Sequence, residues 1–293
     1  MKKILLATTI LAMSAGYAAA DITWGGSAAA GIASNGTANL GLANPNGVFE
    51  ADGVTALRDD VFHTYSNVNL AATFSGTSDS GLTFGATFDM TAGRSYALAD
   101  DDGFDDNGGA FGMPTVYIEG SFGKIAFSTD NYDFYDDTNG DGDVEYTGTF
   151  GQISVGVIAD VDSNNASAKV GYTAGALALN ANMDTYDLWN IDATYTMGTI
   201  AVTAATDESS NSSLKLAYTG ANGMTASAQY NTSDESVDIE AGYSANGLSV
   251  NADTNTVSNA WTVTASYDLG GGLSVEAGTN YTQDMMIGAK MSF

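Results

Sequence analysis

Cysteine is absent from the 293-residue sequence, and histidine occurs only once. The lack of cysteine excludes disulfides, thiolate chemistry and cysteine-based metal sites. One histidine, His63, is too few for a metal centre built from several histidines. Basic residues are also scarce, since eight stand against 35 acidic ones and give a formal net charge of −27. This balance excludes a nucleic-acid binder, which needs a basic face, and it favours cations as partners or strongly hydrated surfaces.

Long apolar runs are missing as well. Beyond residue 20, no 18 consecutive residues are apolar, which excludes a transmembrane helix. The first residues differ, because two lysines precede an apolar stretch at Ile4–Met13 and small residues follow at Ala18–Ala20. This pattern predicts a cleaved secretory signal peptide over residues 1–20 and a single domain over residues 21–293. The alternative, an N-terminal membrane anchor, would need about 20 apolar residues.

Alternation of apolar and polar residues is abundant in the second half of the chain. Met224–Asn231, Val237–Ser244 and Trp261–Asp268 each place an apolar residue at every second position. One apolar and one polar face is the pattern of a β-strand. The overall hydropathy is nearly neutral, as in a transmembrane barrel, where lipid-facing and lumen-facing residues average out.

Aromatic residues stand just before glycine-containing turns along the chain. From Tyr172 onward they recur every 23 to 25 residues, which is about the length of two strands with their connections. Eight such turns join sixteen strands, and residues 22–32 and 285–293 add two more. The sequence therefore predicts an all-β fold, a transmembrane antiparallel β-barrel of 16–18 strands, with 18 as the count. The aromatic residues are Phe74, Phe122, Phe150, Tyr172, Tyr195, Tyr218, Tyr243 and Tyr267.

The two ends of the barrel are expected to differ. Short turns on the periplasmic side would align the preceding aromatics in a ring at the lipid–water interface. Longer acidic connections over residues 35–60, 96–112 and 131–143 are expected on the outer side. A soluble propeller or solenoid also repeats at a fixed period, but it would not need an aromatic at the same end of the same face. An opposite aromatic ring is predicted from Trp24, Tyr186, Trp189 and Trp261.

Charged residues at the polar positions are predicted to line the lumen, because lipid-facing and lumen-facing residues alternate along each strand. Eight acids and four lysines occupy these positions. Since rings of carboxylates concentrate cations and repel anions, the sequence predicts a cation preference. The alternative is that some acids pair with the lysines or lie at a solvated rim. The predicted pore-lining residues are Asp89, Glu119, Lys124, Glu145, Lys169, Asp192, Lys215, Asp238, Glu240, Asp253, Glu276 and Lys290.

Residues 137–143 match the start of a calcium-binding loop. Oxygen ligands occupy positions 1, 3 and 5, and glycine occupies position 6. Position 12 is Gly148 rather than glutamate, so the bidentate ligand is missing and a solvated acidic loop is the alternative. No cofactor is required, and calcium is the one metal considered. Its predicted ligands are Asp137, Asn139, Asp141 and Asp143.

Catalysis is not predicted. His63 has Asp59 and Asp60 nearby in the sequence, but no nucleophile motif accompanies them, as a hydrolase would need. His63 is instead expected at the rim of the second strand. We therefore do not expect an enzyme.

Four stretches resemble the bacterial general porins, in particular the alphaproteobacterial type seen in purple photosynthetic bacteria: Phe74–Phe88, Gly120–Ile125, Ala265–Ser274 and Lys290–Phe293. The resemblance implies a trimer of barrels, each typically of about 16 strands, with the third outer loop folded into the pore. It also implies that the outer-membrane assembly machinery reads the terminal Phe293. The sequence departs from the family in its strand count of 18, in a short third loop at residues 129–143, and in showing no opposing cluster of arginines.

The resulting functional prediction is a passive channel, a general diffusion porin for small hydrophilic solutes and ions, in the cell outer membrane. Its expected partners are copies of itself in a homotrimer, outer-membrane lipid, small solutes and cations. Small residues at Gly25–Gly31 suit a trimer contact, although a plain thin-walled strand explains them equally well. Two alternatives stay open. A substrate-specific channel would need inward aromatics, of which Tyr117 is one, and a non-channel surface protein would use calcium-binding loops.

Overall fold

The computed structural model describes residues 21–34, 62–98, 104–135 and 141–293, and the regular elements of these residues are β-strands. No helix among them is long and apolar enough to cross a membrane. The strands are β1 (Asp21–Ser34), β2 (His63–Thr77), β3 (Thr83–Tyr96), β4 (Phe104–Phe111), β5 (Thr115–Gly120), β6 (Gly123–Asp133), β7 (Asp141–Phe150), β8 (Ile153–Asp160), β9 (Asn165–Ala174), β10 (Leu177–Asp184), β11 (Trp189–Met197), β12 (Ile200–Asp207), β13 (Ser212–Thr219), β14 (Met224–Asn231), β15 (Val237–Ala245), β16 (Leu248–Asn255), β17 (Trp261–Gly270), β18 (Leu273–Asn280) and β19 (Met285–Ser292).

These strands form one closed antiparallel barrel. The first strand, β1, pairs with both β2 and the last strand, β19, so the sheet has no open edge at this seam. Strand β3 pairs with β4 near its end and with β5 near its start, so β4 and β5 are two parts of one wall strand. The break between them contains Pro114, which has no N–H to donate to a ladder. The wall therefore has 18 strand positions, which confirms the predicted count.

The register divides the wall into two faces. On the polar face, Lys215 stands opposite Gln229, which stands opposite Asp238. The alternate positions form the apolar face, which carries no charged side chain from β8 to β19. Its large side chains are half exposed, as for Ile191 at 49% and Leu216 at 54%. Such a continuous uncharged surface suits contact with lipid.

One end of the barrel, here called the turn end, carries the tight hairpins and an aromatic ring on the apolar face. Glycine supplies the positive φ of these turns, as in Asn246-Gly247 with φ values of 53° and 81°, which match a type I′ turn. Trp24 also lies at this end, because its neighbour Ile22 pairs with Phe74. The prediction that Trp24 belongs to the opposite ring was therefore wrong: a first strand that starts at the turn end places its early residues there. The ring comprises Phe74, Phe150, Tyr172, Tyr195, Tyr218, Tyr243 and Tyr267.

The opposite end, here called the loop end, is more compact than the sequence predicted. The connection expected over residues 96–112 contains β4, and the one expected over residues 131–143 is entered by β6 and β7 from both sides. These strand extensions carry polar residues on both faces, so their alternation cannot be read from the sequence. Residues 35–60 lie outside the described residues.

From β8 onward, each connection at the loop end has only four or five residues. The last residue of the preceding strand caps the turn by accepting backbone N–H groups, as Asp184 does from Tyr186 and Leu188, each at 2.9 Å. Such Asx turns reproduce the hydrogen bonds of a backbone turn. Successive caps are 24, 23, 48 and 25 residues apart, and the long interval contains the turn between β14 and β15, which is capped differently. The sequence analysis missed this signal. They are Asp160, Asp184, Asp207, Asn255 and Asn280.

The turn between β14 and β15 is capped by one of its own residues, Asp234. The backbone N–H of Ser236 donates to Asp234 at 3.0 Å. A hydrogen bond from the Ser236 hydroxyl, supported by this backbone bond, lowers the pKa of the Asp234 carboxyl below its ordinary value. Asp234 is therefore a fixed negative charge at the loop end at neutral pH.

Candidate channel lining

The twelve charged residues predicted to line a lumen all lie on the polar face. Strand pairing places them all on the same face of the sheet, from Asp89, which stands opposite Ala71, to Lys290, which stands opposite Ala29. This face is the concave interior of the barrel, because its side chains meet across intervening strands. Lys215 on β13 and Glu240 on β15 approach to 3.5 Å between Nζ and Oε2, with β14 between them. Side chains on a convex face would diverge over two strand spacings of about 4.8 Å each.

Three carboxylates form a patch on β15 and β16, here called the carboxylate patch: Asp238, Glu240 and Asp253. Glu240 and Asp253 stand directly opposite each other, and Asp238 is two residues from Glu240 on the same face. Like charges opposite each other in a ladder are destabilising, so folding alone gives no reason for this pairing.

Neighbouring polar groups hold the carboxylate patch in place. The side-chain amides of Asn231 and Asn255 donate to the two oxygens of Asp238 at 2.7 and 2.6 Å. The Ser227 hydroxyl donates to Glu240 at 2.7 Å. Since these donors come from the strands on either side of β15, the patch is a fixed part of the wall. A fourth carboxylate, Asp192 on β11, accepts a hydrogen bond from Asn180 at 3.0 Å.

Three of the four lysines predicted to line the lumen are held against aromatic rings or an acid. Lys124 Nζ lies 4.7 Å from the centre of the Tyr117 ring, and Lys169 Nζ lies 3.9 Å from that of Tyr135. Lys215 is paired with Glu240. A cation over a ring face is attracted by the ring quadrupole, so these charges are tethered to the wall. Of the remaining predicted residues, Glu119 stands opposite Lys124, Glu145 opposite Ala126, and Glu276 opposite Gly288.

The sequence analysis missed one inward cation and a group of inward aromatics. Arg94 Cζ lies 4.4 Å from the centre of the Phe104 ring. Phe104 also packs on Tyr96 at 4.7 Å and edge-on against His63 at 5.7 Å between ring centroids. The miss falls in an irregular segment, where Gly93 has a φ of 103° and the register between β3 and β4 shifts. Between the Thr91–Ala110 and Gly93–Asn107 pairs, β4 has one residue more than β3, and such a bulge interrupts the alternation that assigns faces.

His63 lies at the first residue of β2, at the loop end, as expected. The His63 ring packs edge-on against the ring of Phe104. This packing role accounts for its place in the wall.

The calcium hypothesis stays a prediction. Asp137 and Asn139 lie outside the described residues. Asp141 and Asp143 lie at the start of β7, where Asp143 accepts a hydrogen bond from the Val161 N–H at 3.0 Å. Within the described parts of the chain, no three His, Cys, Asp or Glu residues are grouped so as to hold a metal ion.

Two glycines in the seam leave room for a ring rather than for a partner. A Cβ at Gly31 or Gly288 would collide with the Tyr65 ring on the polar face, so these glycines accommodate an inward tyrosine. Gly26, Ala28 and Ala30 lie on the apolar face of β1. The main chain of Phe293 exchanges two hydrogen bonds with Gly26, at 2.9 and 3.0 Å, and its side chain is 67% exposed.

Comparison with known proteins identifies the family. A family model described as Gram-negative porin matches residues 7–285. The chain belongs to the Gram-negative porin family. This porin has the fold of two mutants of the Rhodopseudomonas blastica porin, each with a TM-score of 0.56 and 14% identity over 93% of this chain and 100% of theirs. A third mutant of that porin gives a TM-score of 0.54 at 15% identity with the same coverage. A comparison with curated proteins found no match.

Family and fold together make the protein an outer-membrane porin channel. The wall of 18 strand positions fits this conclusion, because barrels of about 16 to 18 strands enclose an aqueous lumen.

Proposed function

We propose that this porin is a passive diffusion channel for small hydrophilic solutes and ions, and that it prefers cations. The observation that carries the preference is the carboxylate patch, where Glu240 and Asp253 stand opposite each other on the polar face. Nearby bases do not offset it fully, because one lysine, Lys215, stands beside three carboxylates. The twelve charged residues predicted from the sequence are the proposed lining of the pore.

The physical argument rests on charge in a confined aqueous space. A lumen lined by one sign of charge within low-dielectric walls raises the local concentration of the opposite ion. Carboxylate rings act in this way in cation channels. Lysines tethered to aromatic rings contribute positive charge at the wall near β5–β9, on a different side of the barrel from the patch.

Reversal potential across a planar bilayer, measured for the purified porin in a salt gradient, tests the proposal. We expect a cation-sign reversal potential that moves towards zero in the double variant Glu240→Gln/Asp253→Asn. The matched control is Asp162→Asn/Asp187→Asn, which removes the same charge from turns at the loop end. An anion-sign potential in the unmodified porin would refute the preference, and equal shifts in both double variants would assign it to the rim instead of the wall.

A substrate-specific channel is the second candidate. The inward aromatics Tyr65, Tyr96 and Phe104 favour it at first sight. However, Tyr65 is only 6% exposed, and it fills the space above Gly31 and Gly288. A ring that is covered in this way does not offer a face to a passing solute, so the general channel is the better proposal.

Assembly is also proposed from the family and from the seam. We infer a homotrimer with a contact through the small apolar-face residues of β1, and export directed by residues 1–20. The exposed ring of Phe293 suits recognition by the outer-membrane assembly machinery. Chemical cross-linking of the purified porin tests the trimer.

A further inference from the structure

The last residue of β3 and the two residues that follow it lie along the inner surface of the barrel. At the end of β3, the Tyr96 hydroxyl donates to the carbonyl of Ser34 at the end of β1, at 3.3 Å. The Tyr96 ring stacks on Tyr65 of β2, with 6.0 Å between ring centroids. The end of β3 therefore leans back over β2 towards β1.

Two residues later, the same chain reaches β18. The side-chain amide of Asn280 donates to the carbonyl of Leu98 at 2.7 Å, and the Leu98 side chain lies on Gly278, where a Cβ would collide with it. Leu98 is 8% exposed and Asn280 is 4% exposed. Between β3 and β18 lie β2, β1 and β19, so residues 96–98 span the seam at which the barrel closes.

The contact from Asn280 to Leu98 is specific to this turn. Asn255 caps the preceding loop-end turn in the same way, but its amide donates to Asp238 on the adjacent strand. Three equivalent caps, Asp160, Asp184 and Asp207, have no amide at all. Capping the turn thus requires only the acceptor oxygen. The amide nitrogen of Asn280 donates both to Asp284 of its own turn, at 2.9 Å, and to the Leu98 carbonyl.

A second inward contact lies on the opposite wall. Beyond β6, the backbone N–H of Tyr135 donates to Ser167 of β9 at 3.0 Å, and Asn182 of β10 donates to the Tyr135 carbonyl at 2.8 Å. Strands β9 and β18 are nine positions apart in a wall of 18, which makes them diametrically opposed.

We infer that residues 96–98 form an internal strap, which is fixed against β18 inside the lumen, across the closure seam. The strap narrows the channel near its loop end, on the wall opposite the contacts of Tyr135. The inference rests on the channel function proposed above. It assigns a size-determining role to Leu98, Gly278 and Asn280, none of which was predicted to line the pore.

Single-channel conductance of the full-length porin in a planar bilayer tests the strap. Asn280→Asp keeps the acceptor that caps the turn but removes the donor to Leu98. Asn255→Asp is the matched control, because both variants place a new carboxylate beside an existing one. The neighbour of Asn255 is Asp238 on the adjacent strand, and that of Asn280 is Asp284 in its own turn. Recording in about 1 M salt, where the Debye length is about 3 Å, makes conductance report width rather than charge. We expect Asn280→Asp to have a larger conductance and more current noise than Asn255→Asp.

A second pair of variants tests the strap without changing a residue that caps a turn. Gly278→Ala places a methyl group where Leu98 rests, and Gly242→Ala is its control on the polar face of β15, facing Thr225 and Asn251. If each variant had the same conductance as its control in both pairs, the strap would be refuted. Reversal potentials measured on the same channels separate this result from a failure of the proposed cation preference, because the strap is judged by conductance at high salt alone.

Discussion

The wall from β8 to β19 and the wall from β1 to β7 are built on different plans. In the first of these regions, every hairpin has a tight turn at one end and a capped connection of four or five residues at the other. In the second region, the register between β3 and β4 shifts, β4 and β5 share one wall position, and the residues that follow β3 and β6 pack against the inner surface. Regular hairpins form only the wall of the barrel, whereas the irregular strands are followed by residues that lie inside the barrel.

The comparison also separates two kinds of polar residue. In the regular region, Asn231, Asn255 and Ser227 orient carboxylates on the wall itself. In the irregular region, the cation Arg94 and the tyrosines pack against one another and against connections. We therefore attribute the charge preference of the channel to the regular region and its width to the irregular one.

The largest expected effect tests whether the apolar face is the same in both regions. Arginine on the lipid face of a barrel costs about 2–4 kcal/mol at the membrane midplane. We expect Leu216→Arg on β13 and Leu70→Arg on β2 to lower the free energy of unfolding in lipid vesicles by similar amounts in this range. Ala217→Arg, on the polar face next to Leu216, is the control and should cost much less. A large loss for Ala217→Arg would mean that the faces are wrongly assigned.

A smaller effect is expected at Gly93 of β3, beside the bulge in the pairing of β3 with β4. Gly93 has a φ of 103°, and a Cβ there would collide with the Ser66 carbonyl. Gly93→Ala should therefore cost more than the about 1–2 kcal/mol that a left-handed conformation costs an L-residue. Gly175→Ala is the control in the regular region, where φ is 59° and the space is open. Chemical denaturation of both variants measures the difference, and equal costs would argue that the bulge is not a fixed part of the wall.

The regular region was predictable from the sequence because one physical rule governs it. Alternation assigned the faces of Lys215, Asp238 and Glu240, and the repeated aromatics assigned the turn end. Both signals depend on local geometry, since successive side chains of a strand point to opposite sides. For this reason the strand count and the polar-face residues could be derived without any contact between distant residues.

The irregular region was not predictable because its contacts join residues far apart in the chain. The contact between Leu98 and Asn280 spans 182 residues, and no local pattern announces it. The contact between Arg94 and Phe104 lies where the register between β3 and β4 shifts by one residue. Trp24 was assigned to the wrong end of the barrel because that assignment depends on the position of a residue along its strand rather than on the residue type.

The smallest effect concerns the caps that keep the regular region regular. Asp207 accepts the backbone N–H of Asn211 at 2.8 Å and the side-chain amide of the same residue at 3.0 Å. Asp207→Ala removes both bonds, and we expect a loss of about 1 kcal/mol, which is typical of a single hydrogen bond or cap. Asp207→Asn keeps an acceptor, as Asn255 does two turns later, and should retain most of the stability. If Asp207→Ala unfolded at the same denaturant concentration as the unmodified porin, the recurrent Asp and Asn residues would be solvated rim groups, and the short connections would owe their shape to strand pairing alone.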